Sequence, residues 1–234
     1  MTNQRARYDA EDACFVFTVT HFSNYVIAYG GCPQDETCPI AAYADADPAA
    51  WYHDGVHCAV ENGVMSGVGN GVFAPDGDTS RTMVTVMLWR LEGEPSADAA
   101  LAFDDVQAGR WYSDAIRWAA NVSVITGWND AVTGRPVFAP DAAVTREQLA
   151  TVLWRYAKYK GADVSVGEDT NILSYGDALD VSEYAIPAMQ WACGSGVVGG
   201  YDDLSGARIL APCSASSRAE IATMMQRFCE KVVK

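Results

Sequence analysis

The sequence has few basic residues and no long apolar run. It carries 16 lysines and arginines against 30 aspartates and glutamates, which gives a formal net charge of -14. Because a nucleic-acid partner needs a basic face to neutralise its phosphates, this balance argues against nucleic-acid binding. No apolar stretch reaches the roughly 20 residues that a membrane-spanning helix needs, which argues against membrane insertion.

Signatures of catalysis and of metal binding are also missing. We find no nucleophile with a nearby base, no glycine-rich phosphate loop after a strand and no glycosidase-like carboxylate pair. We therefore expect no enzyme, no catalytic residue and no cofactor. His53 and His57 are four positions apart, but no third ligand is apparent and no Cys-x-x-Cys pair is present. No metal site is predicted.

The seven cysteines are an odd number, so at least one thiol is left over if the others form disulfides. Cys32 and Cys38 could close a small loop in an oxidising compartment, and Cys193 could meet Cys213. Alternatively, most of the cysteines are small buried apolar residues. The sequence leaves both interpretations open.

The first 42 residues differ from the rest of the chain. Residues 15–20 and 25–28 are rich in β-branched and aromatic types, which predicts two short strands ahead of a linker. A strand pair alone is marginally stable, so we interpret 1–42 as the end of an upstream β domain plus a linker. No apolar segment follows the first basic residues, so we recognise no signal peptide and expect a fragment of a larger secreted protein.

The remainder of the chain is a pattern repeated three times, at residues 43–94, 101–161 and 174–234, which we call repeats 1, 2 and 3. Each repeat has an aromatic-x-Asp start, an amphipathic helix, an apolar turn ending in glycine, an F-x-P turn (L-x-P in repeat 3) and a second amphipathic helix. At the turn glycines we expect a positive φ, as glycine adopts it at no steric cost. These glycines are Gly67, Gly127 and Gly200.

Two amphipathic helices cannot bury their own apolar stripes, so three pairs should pack around a common axis. We therefore predict a mainly α fold. It is a pseudo-threefold arrangement of three helix-loop-helix repeats around a central three-helix bundle, with a short N-terminal β segment.

A capping pattern marks the start of each second helix. Thr145 with Gln148, and Ser217 with Glu220, have the spacing of a complete capping box, whereas Ser80 keeps only half of one. An arginine follows each cap, at the helix end whose dipole and free N–H groups favour an anion. These arginines are Arg81, Arg146 and Arg218.

Together these motifs resemble the S-layer homology family, whose repeats combine the aromatic-x-Asp start, a WY-x-x-x-I-x-x-A helix, the glycine turn, F-x-P and a [TS]-R-A-E helix. The resemblance implies a three-repeat module that anchors secreted proteins to the bacterial cell wall, and so an extracellular, cell-surface location. Its partner would be a peptidoglycan-linked secondary cell wall polysaccharide, commonly pyruvylated, held non-covalently in grooves between neighbouring repeats.

The resemblance also implies a set of carbohydrate-binding residues, to which the stacking of sugars on aromatic rings adds aromatic platforms near the same loops. A pyruvate ketal presents a carboxylate, which matches the two parallel N–H donors of a guanidinium, and sugar faces stack on aromatic rings. The candidates are Arg81, Arg146, Arg218, Thr145, Gln148, Ser217, Glu220, Trp51, Trp111 and Asp105, with Trp128 and Tyr201 as further platforms. Repeat 1 has Thr82 and Met83 where the motif has Ala and Glu, so its groove is the least supported.

Alternatives remain for these residues and for the module. The arginines could be structural and pair with the in-register aspartates Asp45, Asp105 and Asp177, which are more typical of caps than of ligand contacts. Tryptophans within helical patterns are more typical of a core than of sugar stacking, namely Trp89, Trp118, Trp154 and Trp191. The whole could instead be a protein-interaction or self-assembly module of a surface-layer protein, with lateral self-association.

Overall fold

The computed structural model describes residues 32, 37–98 and 100–232, together with the backbone of two short strands nearer the N-terminus. The described residues are mainly helical, as predicted. Their α-helices are α1 (His53–Glu61), α2 (Arg81–Leu91), α3 (Ser113–Asn121), α4 (Arg146–Tyr159), α5 (Ile186–Gly194) and α6 (Arg218–Lys231). Across the described ranges, each of these helices is too short or too polar to cross a membrane.

The N-terminal strands are β1 (Arg7–Asp9) and β2 (Cys14–Val16), which pair antiparallel. Strand β2 overlaps the start of the strand predicted at 15–20, but its partner precedes it, whereas we expected the partner to follow. The second predicted strand, 25–28, lies outside the described residues.

In repeat 2 and in repeat 3, a short β-hairpin with two-residue strands connects the two α-helices of the repeat. Strands β3 (Trp128–Asn129) and β4 (Pro136–Val137) pair in repeat 2. Strands β5 (Tyr201–Asp202) and β6 (Arg208–Ile209) pair in repeat 3. In each hairpin the first strand follows the glycine turn and the second strand precedes the F-x-P or L-x-P turn. The strand pairing therefore holds these two turns next to each other.

The second helix of each repeat begins where its cap predicts. The side chain of Thr145 accepts the backbone N–H of Gln148, and the side chain of Gln148 accepts the backbone N–H of Thr145. Ser217 and Glu220 make the same reciprocal pair at the start of α6. Ser80 caps α2 through its own side chain alone. The prediction of two complete capping boxes and one half box is confirmed.

The prediction of a positive φ at Gly67, Gly127 and Gly200 is wrong. Close approach explains these glycines instead, because a Cβ on Gly127 would collide with the carbonyl oxygen of Val137 and the ring of Phe103. The left-handed conformation lies at the middle residue of each F-x-P or L-x-P turn. These residues are Ala74 (φ 57°), Ala139 (φ 53°) and Ala211 (φ 49°).

Helices and cap segments of different repeats contact one another in pairs. Helix α2 packs on α3, α4 packs on α5, and α6 packs on α1. Isolated β-bridges join the segments at the starts of the second helices, namely Ser80 to Ala143, Thr145 to Ala215 and Asp78 to Ser217. Repeat 1 therefore contacts repeat 2, repeat 2 contacts repeat 3, and repeat 3 contacts repeat 1.

Aromatic side chains fill the core between these helices. The ring centroids of Tyr156 and Phe228 are 5.5 Å apart, and Trp191 meets Phe228 edge-on at 6.2 Å. All three residues are fully buried, and burial of the Phe228 side chain alone contributes about 1.5–3 kcal/mol of hydrophobic stabilisation. Trp118 is buried as well, as expected for the core, while Trp89 and Trp154 are partly buried against it.

Candidate functional site

The three motif arginines reach from the start of one helix into the next repeat. Arg81, Arg146 and Arg218 are only 8%, 5% and 5% exposed. Each donates hydrogen bonds from Nε and Nη2 to two main-chain carbonyl oxygens, one in the F-x-P or L-x-P turn and one in the glycine turn. The acceptors are Phe138 (2.7 Å) and Thr126 (2.9 Å) for Arg81, Leu210 (2.8 Å) and Gly199 (3.2 Å) for Arg146, and Phe73 (2.7 Å) and Ser66 (2.6 Å) for Arg218.

The motif aspartates hold these same turns from within their own repeat. The carboxylate of Asp105 accepts the backbone N–H groups of Phe138 (2.8 Å) and Ala139 (2.7 Å), and Asp45 and Asp177 make the equivalent bonds. Each pair of bonds fixes the alanine with positive φ. At Asp45 the N–H of Phe73 is the main cause of a pKa below the usual aspartate value. Over the described residues no ion pair joins these aspartates to the motif arginines.

The third guanidinium nitrogen distinguishes the three arginines. Nη1 of Arg146 donates to Oε1 of Glu220 at 2.8 Å, and the other oxygen of Glu220 completes the capping box of α6. Among the described residues, Nη1 of Arg81 and Nη1 of Arg218 make no hydrogen bond, and neither atom is enclosed. Arg81 and Arg218 therefore each keep one charged N–H donor without a partner among the described residues, while the carboxylate of Glu220 occupies that of Arg146.

Buried phenylalanine rings lie beside Arg81 and Arg218, and a solvent-exposed aromatic ring lies beside Arg81 and Arg146. Cζ of Arg81 is 5.1 Å from the ring centroid of Trp128, whose side chain is 50% exposed. Cζ of Arg146 is 5.6 Å from the ring of Tyr201, at the matching position of repeat 3. Repeat 1 has the aliphatic Val68 at that position. An exposed aromatic face thus adjoins Arg81 and Arg146, and of these two arginines only Arg81 keeps an Nη1 without a hydrogen bond among the described residues.

The predicted platforms Trp51 and Trp111 make their ring contacts within their own repeats. They precede α1 and α3, are 68% and 62% exposed, and pack edge-on against the neighbouring tyrosines. Within the described part of the chain, no hydrogen bond or cation–π contact joins either tryptophan to a motif arginine.

Sequence reasoning missed a second arginine in each repeat. Nη1 of Arg155 donates to Oγ1 of Thr126 at 3.1 Å, and the carbonyl of Thr126 accepts from Arg81. Burial lowers the pKa of Arg81, and the nearby Arg155 lowers it further. The sequence signal was available, because these arginines recur at one spacing after the motif arginines, as Arg90, Arg155 and Arg227.

One group of side chains in the described ranges could hold a metal ion: Cys32, Cys38, His53 and His57. The expectation that the histidine pair lacks a third ligand is therefore wrong. Cys32 and Cys38, from the segment ahead of repeat 1, lie beside the histidine pair. Their spacing in sequence is longer than that of the usual zinc motifs.

An open cavity of about 460 Å³ lies between the linker ahead of repeat 3 and the first half of that repeat. Its lining includes Asn171, Leu173, Leu179 and Gln190. None of the predicted site residues lines it.

Residues 42–81 and 102–150 match the family described as S-layer homology domain. The chain is 24% identical to an amylopullulanase of Thermoanaerobacterium thermosulfurigenes over 96% of the chain and 11% of that protein. It is 23% identical to a cellulosome-anchoring protein of Acetivibrio thermocellus over 71% of the chain and 35% of that protein. A surface-layer 125 kDa protein of Lysinibacillus sphaericus is 30% identical over 48% of the chain and 10% of that protein. The chain thus spans between about a tenth and a third of the length of these relatives.

Proposed function

The chain belongs to the S-layer homology domain family, and we propose that it anchors a longer bacterial protein to the cell surface by binding a cell wall polysaccharide. The names of two relatives, a cellulosome-anchoring protein and a surface-layer protein, support the anchoring role. The chain resembles only 11% of the amylopullulanase, so we assign no catalytic activity to it.

The architecture that we propose for this module is three repeats with pseudo-threefold symmetry around a central bundle of α2, α4 and α6. Two sets of contacts support it. The motif arginines bond cyclically from repeat 1 to 2, from 2 to 3 and from 3 to 1. The β-bridges at the helix starts follow the same cycle. The proposed repeat boundaries are those read from the sequence.

The ligand that we propose is an acidic sugar of the wall polymer, such as one bearing a pyruvate ketal. The observation that carries this proposal is the free Nη1 of Arg81 beside the half-exposed ring of Trp128, in a protein with net charge -14. Arg155 adds a second positive charge at Thr126. A carboxylate bound there gains charged hydrogen bonds worth roughly 1.5–3 kcal/mol each, and a sugar face can stack on the indole.

We propose that the groove between repeats 1 and 2 is the main site, which reverses the order suggested by the sequence. The groove at Arg146 already holds the carboxylate of Glu220, and the groove at Arg218 has Val68 where the others have an aromatic ring. Thr145, Gln148 and Ser217 lie outside this main site, because their side chains make the capping bonds of α4 and α6, the helices that carry Arg146 and Arg218.

A sedimentation assay tests this function. The purified chain should pellet with cell walls that retain their polysaccharide and stay in solution with walls from which the polymer has been extracted. Free polymer should compete, and polymer treated to remove its pyruvate should compete less. Equal pelleting with intact and extracted walls would contradict polysaccharide binding.

Lateral self-association is a second candidate function. Leu173 and Leu179 are 70% and 90% exposed at the rim of the cavity ahead of repeat 3, which favours an apolar contact there. Light scattering without any glycan tests it. Oligomers that grow with concentration in the wild type and disappear in Leu179→Ser would support this function, and a monomer at all concentrations would exclude it.

A further inference from the structure

Four side chains with metal-binding atoms meet where the chain enters repeat 1. Sγ of Cys32, Sγ of Cys38 and one ring nitrogen each of His53 and His57 all lie within 4.8 Å of one another. Cys38 and the two histidines are buried, and Cys32 is half-buried. The cluster is remote in sequence from every motif arginine and takes no part in the proposed polysaccharide site.

The spacing of these atoms fits a tetrahedral ion. Sγ of Cys38 is 3.4 Å from Nε2 of His53 and 3.2 Å from Nδ1 of His57. Zinc bonds of about 2.3 Å to sulfur and about 2.0–2.1 Å to nitrogen, at tetrahedral angles, put sulfur and nitrogen ligands about 3.6 Å apart. The two Cys38–histidine separations therefore match those around Zn²⁺ within a few tenths of an ångström, and the widest separation in the cluster, at most 4.8 Å, would shorten when the ion binds.

Both histidines also have a carboxylate on the ring nitrogen that faces away from the cysteines. Nδ1 of His53 lies 3.0 Å from Oδ1 of Asp54, and Nε2 of His57 lies 3.5 Å from Oε2 of Glu61. Metal-bound histidines usually donate their second N–H to such a group, which fixes the tautomer and strengthens the ligand. Two histidines that use opposite nitrogens, each paired in this way, are an independent sign of a metal site.

We propose that Cys32, Cys38, His53 and His57 bind one structural Zn²⁺. Two thiolates and two imidazoles form the Cys₂His₂ set that zinc takes in closed, four-coordinate sites, and the His-x-x-x-His spacing on α1 is typical of such sites. The ion joins the segment that precedes repeat 1 to α1, the helix that packs on α6. It therefore fixes the direction in which the chain enters repeat 1.

Metal titration of the full chain tests this proposal. Chain prepared with a thiol reductant and stripped by a chelator should take up one equivalent of Zn²⁺ per chain, with a rise in melting temperature. One equivalent of Co²⁺ should give the d–d bands of tetrahedral cobalt and thiolate-to-cobalt charge-transfer absorption. Zinc added afterwards should displace the cobalt and abolish both signals.

Variants show whether the signal comes from this cluster. Cys38→Ser should abolish the charge-transfer band and the thermal response to zinc, and His57→Asn should do the same. Cys213→Ser, at an exposed cysteine outside the cluster, should leave both unchanged. Should a variant fail to fold, the wild-type stoichiometry decides. Reduced wild type that binds no zinc, or binds it equally in Cys38→Ser, overturns the proposal, as does a Cys32–Cys38 disulfide that persists in chain isolated with zinc present.

Discussion

Replacement of Arg218 by alanine should destabilise the fold even without ligand. The substitution removes two charged hydrogen bonds, from Nε to the carbonyl of Phe73 and from Nη2 to the carbonyl of Ser66, and these bonds join repeat 3 to repeat 1. Each hydrogen bond to a charged group is worth roughly 1.5–3 kcal/mol, and water can partly replace the half-buried bond to Ser66. We therefore expect the free energy of unfolding to fall by about 3 kcal/mol. For a chain of this size that corresponds to a fall in Tm of roughly 6–12 °C.

The matched control is Arg227→Ala, which removes the same charge from the same helix. Arg227 makes no hydrogen bond to the described residues, so its loss should cost about 0.5 kcal/mol or less. Urea unfolding of both variants gives the free energies directly. Arg218→Lys keeps the charge but cannot span two carbonyls, and should fall between the wild type and the alanine variant. Equal stabilities of Arg218→Ala and Arg227→Ala would refute the structural role of the motif arginine.

Three further changes test other contacts. Glu220→Gln should keep the α6 cap, as the glutamine of the α4 capping box does, but free a charged donor of Arg146; we expect a loss of about 1 kcal/mol in urea unfolding and tighter binding of acidic polymer in calorimetry. Gly127→Ala should lower the free energy of unfolding by about 1–3 kcal/mol, because its Cβ collides with the carbonyl of Val137. The folded pKa of Asp45 lies below its unfolded value of about 3.9, so its stabilisation is present above that value and is lost as pH falls through the folded pKa. The Tm difference between wild type and Asp45→Asn should therefore shrink in acid melts, and a constant difference would contradict this role.

Local patterns predicted the helices and their caps well. The capping pair Ser217 and Glu220 is three positions apart, so its bonds follow from the helix start alone. The position of Arg218 at that start follows for the same reason. These features depend on neighbours within one turn of helix, which sequence spacing determines.

The acceptors of the arginines could not be predicted in this way. Arg81 bonds a carbonyl 57 positions away, and Arg218 bonds one 145 positions away. Every residue has a main-chain carbonyl, so the sequence does not show which carbonyls accept hydrogen bonds from the arginines. It pointed instead to the in-register aspartates as partners, because their side chains are anionic. Those aspartates instead hold the turn that presents the carbonyl.

The Cys and His cluster was missed because it combines two separated segments. The pair His53 and His57 was recognised, but the C-x₅-C spacing of Cys32 and Cys38 exceeds that of common zinc motifs, and only the fold brings the two pairs together. Gly127 was misread for a related reason. Gly127 packs against the carbonyl oxygen of Val137 in strand β4, and the local turn pattern does not reveal this contact.

The most direct test of the account is polymer binding by the double variant Trp128→Ala, Arg155→Gln, measured by calorimetry with purified wall polysaccharide. Both side chains are partly exposed and lie near Arg81. Neither makes the hydrogen bonds that join one repeat to the next. We expect a loss of affinity of about tenfold or more with nearly unchanged melting, since one stacking contact and one charged contact together exceed about 1.4 kcal/mol. Trp51→Ala, at an exposed tryptophan that makes no ring contact with Arg81 among the described residues, should bind normally. Wild-type affinity in the double variant, or an equal loss in Trp51→Ala, would contradict the account.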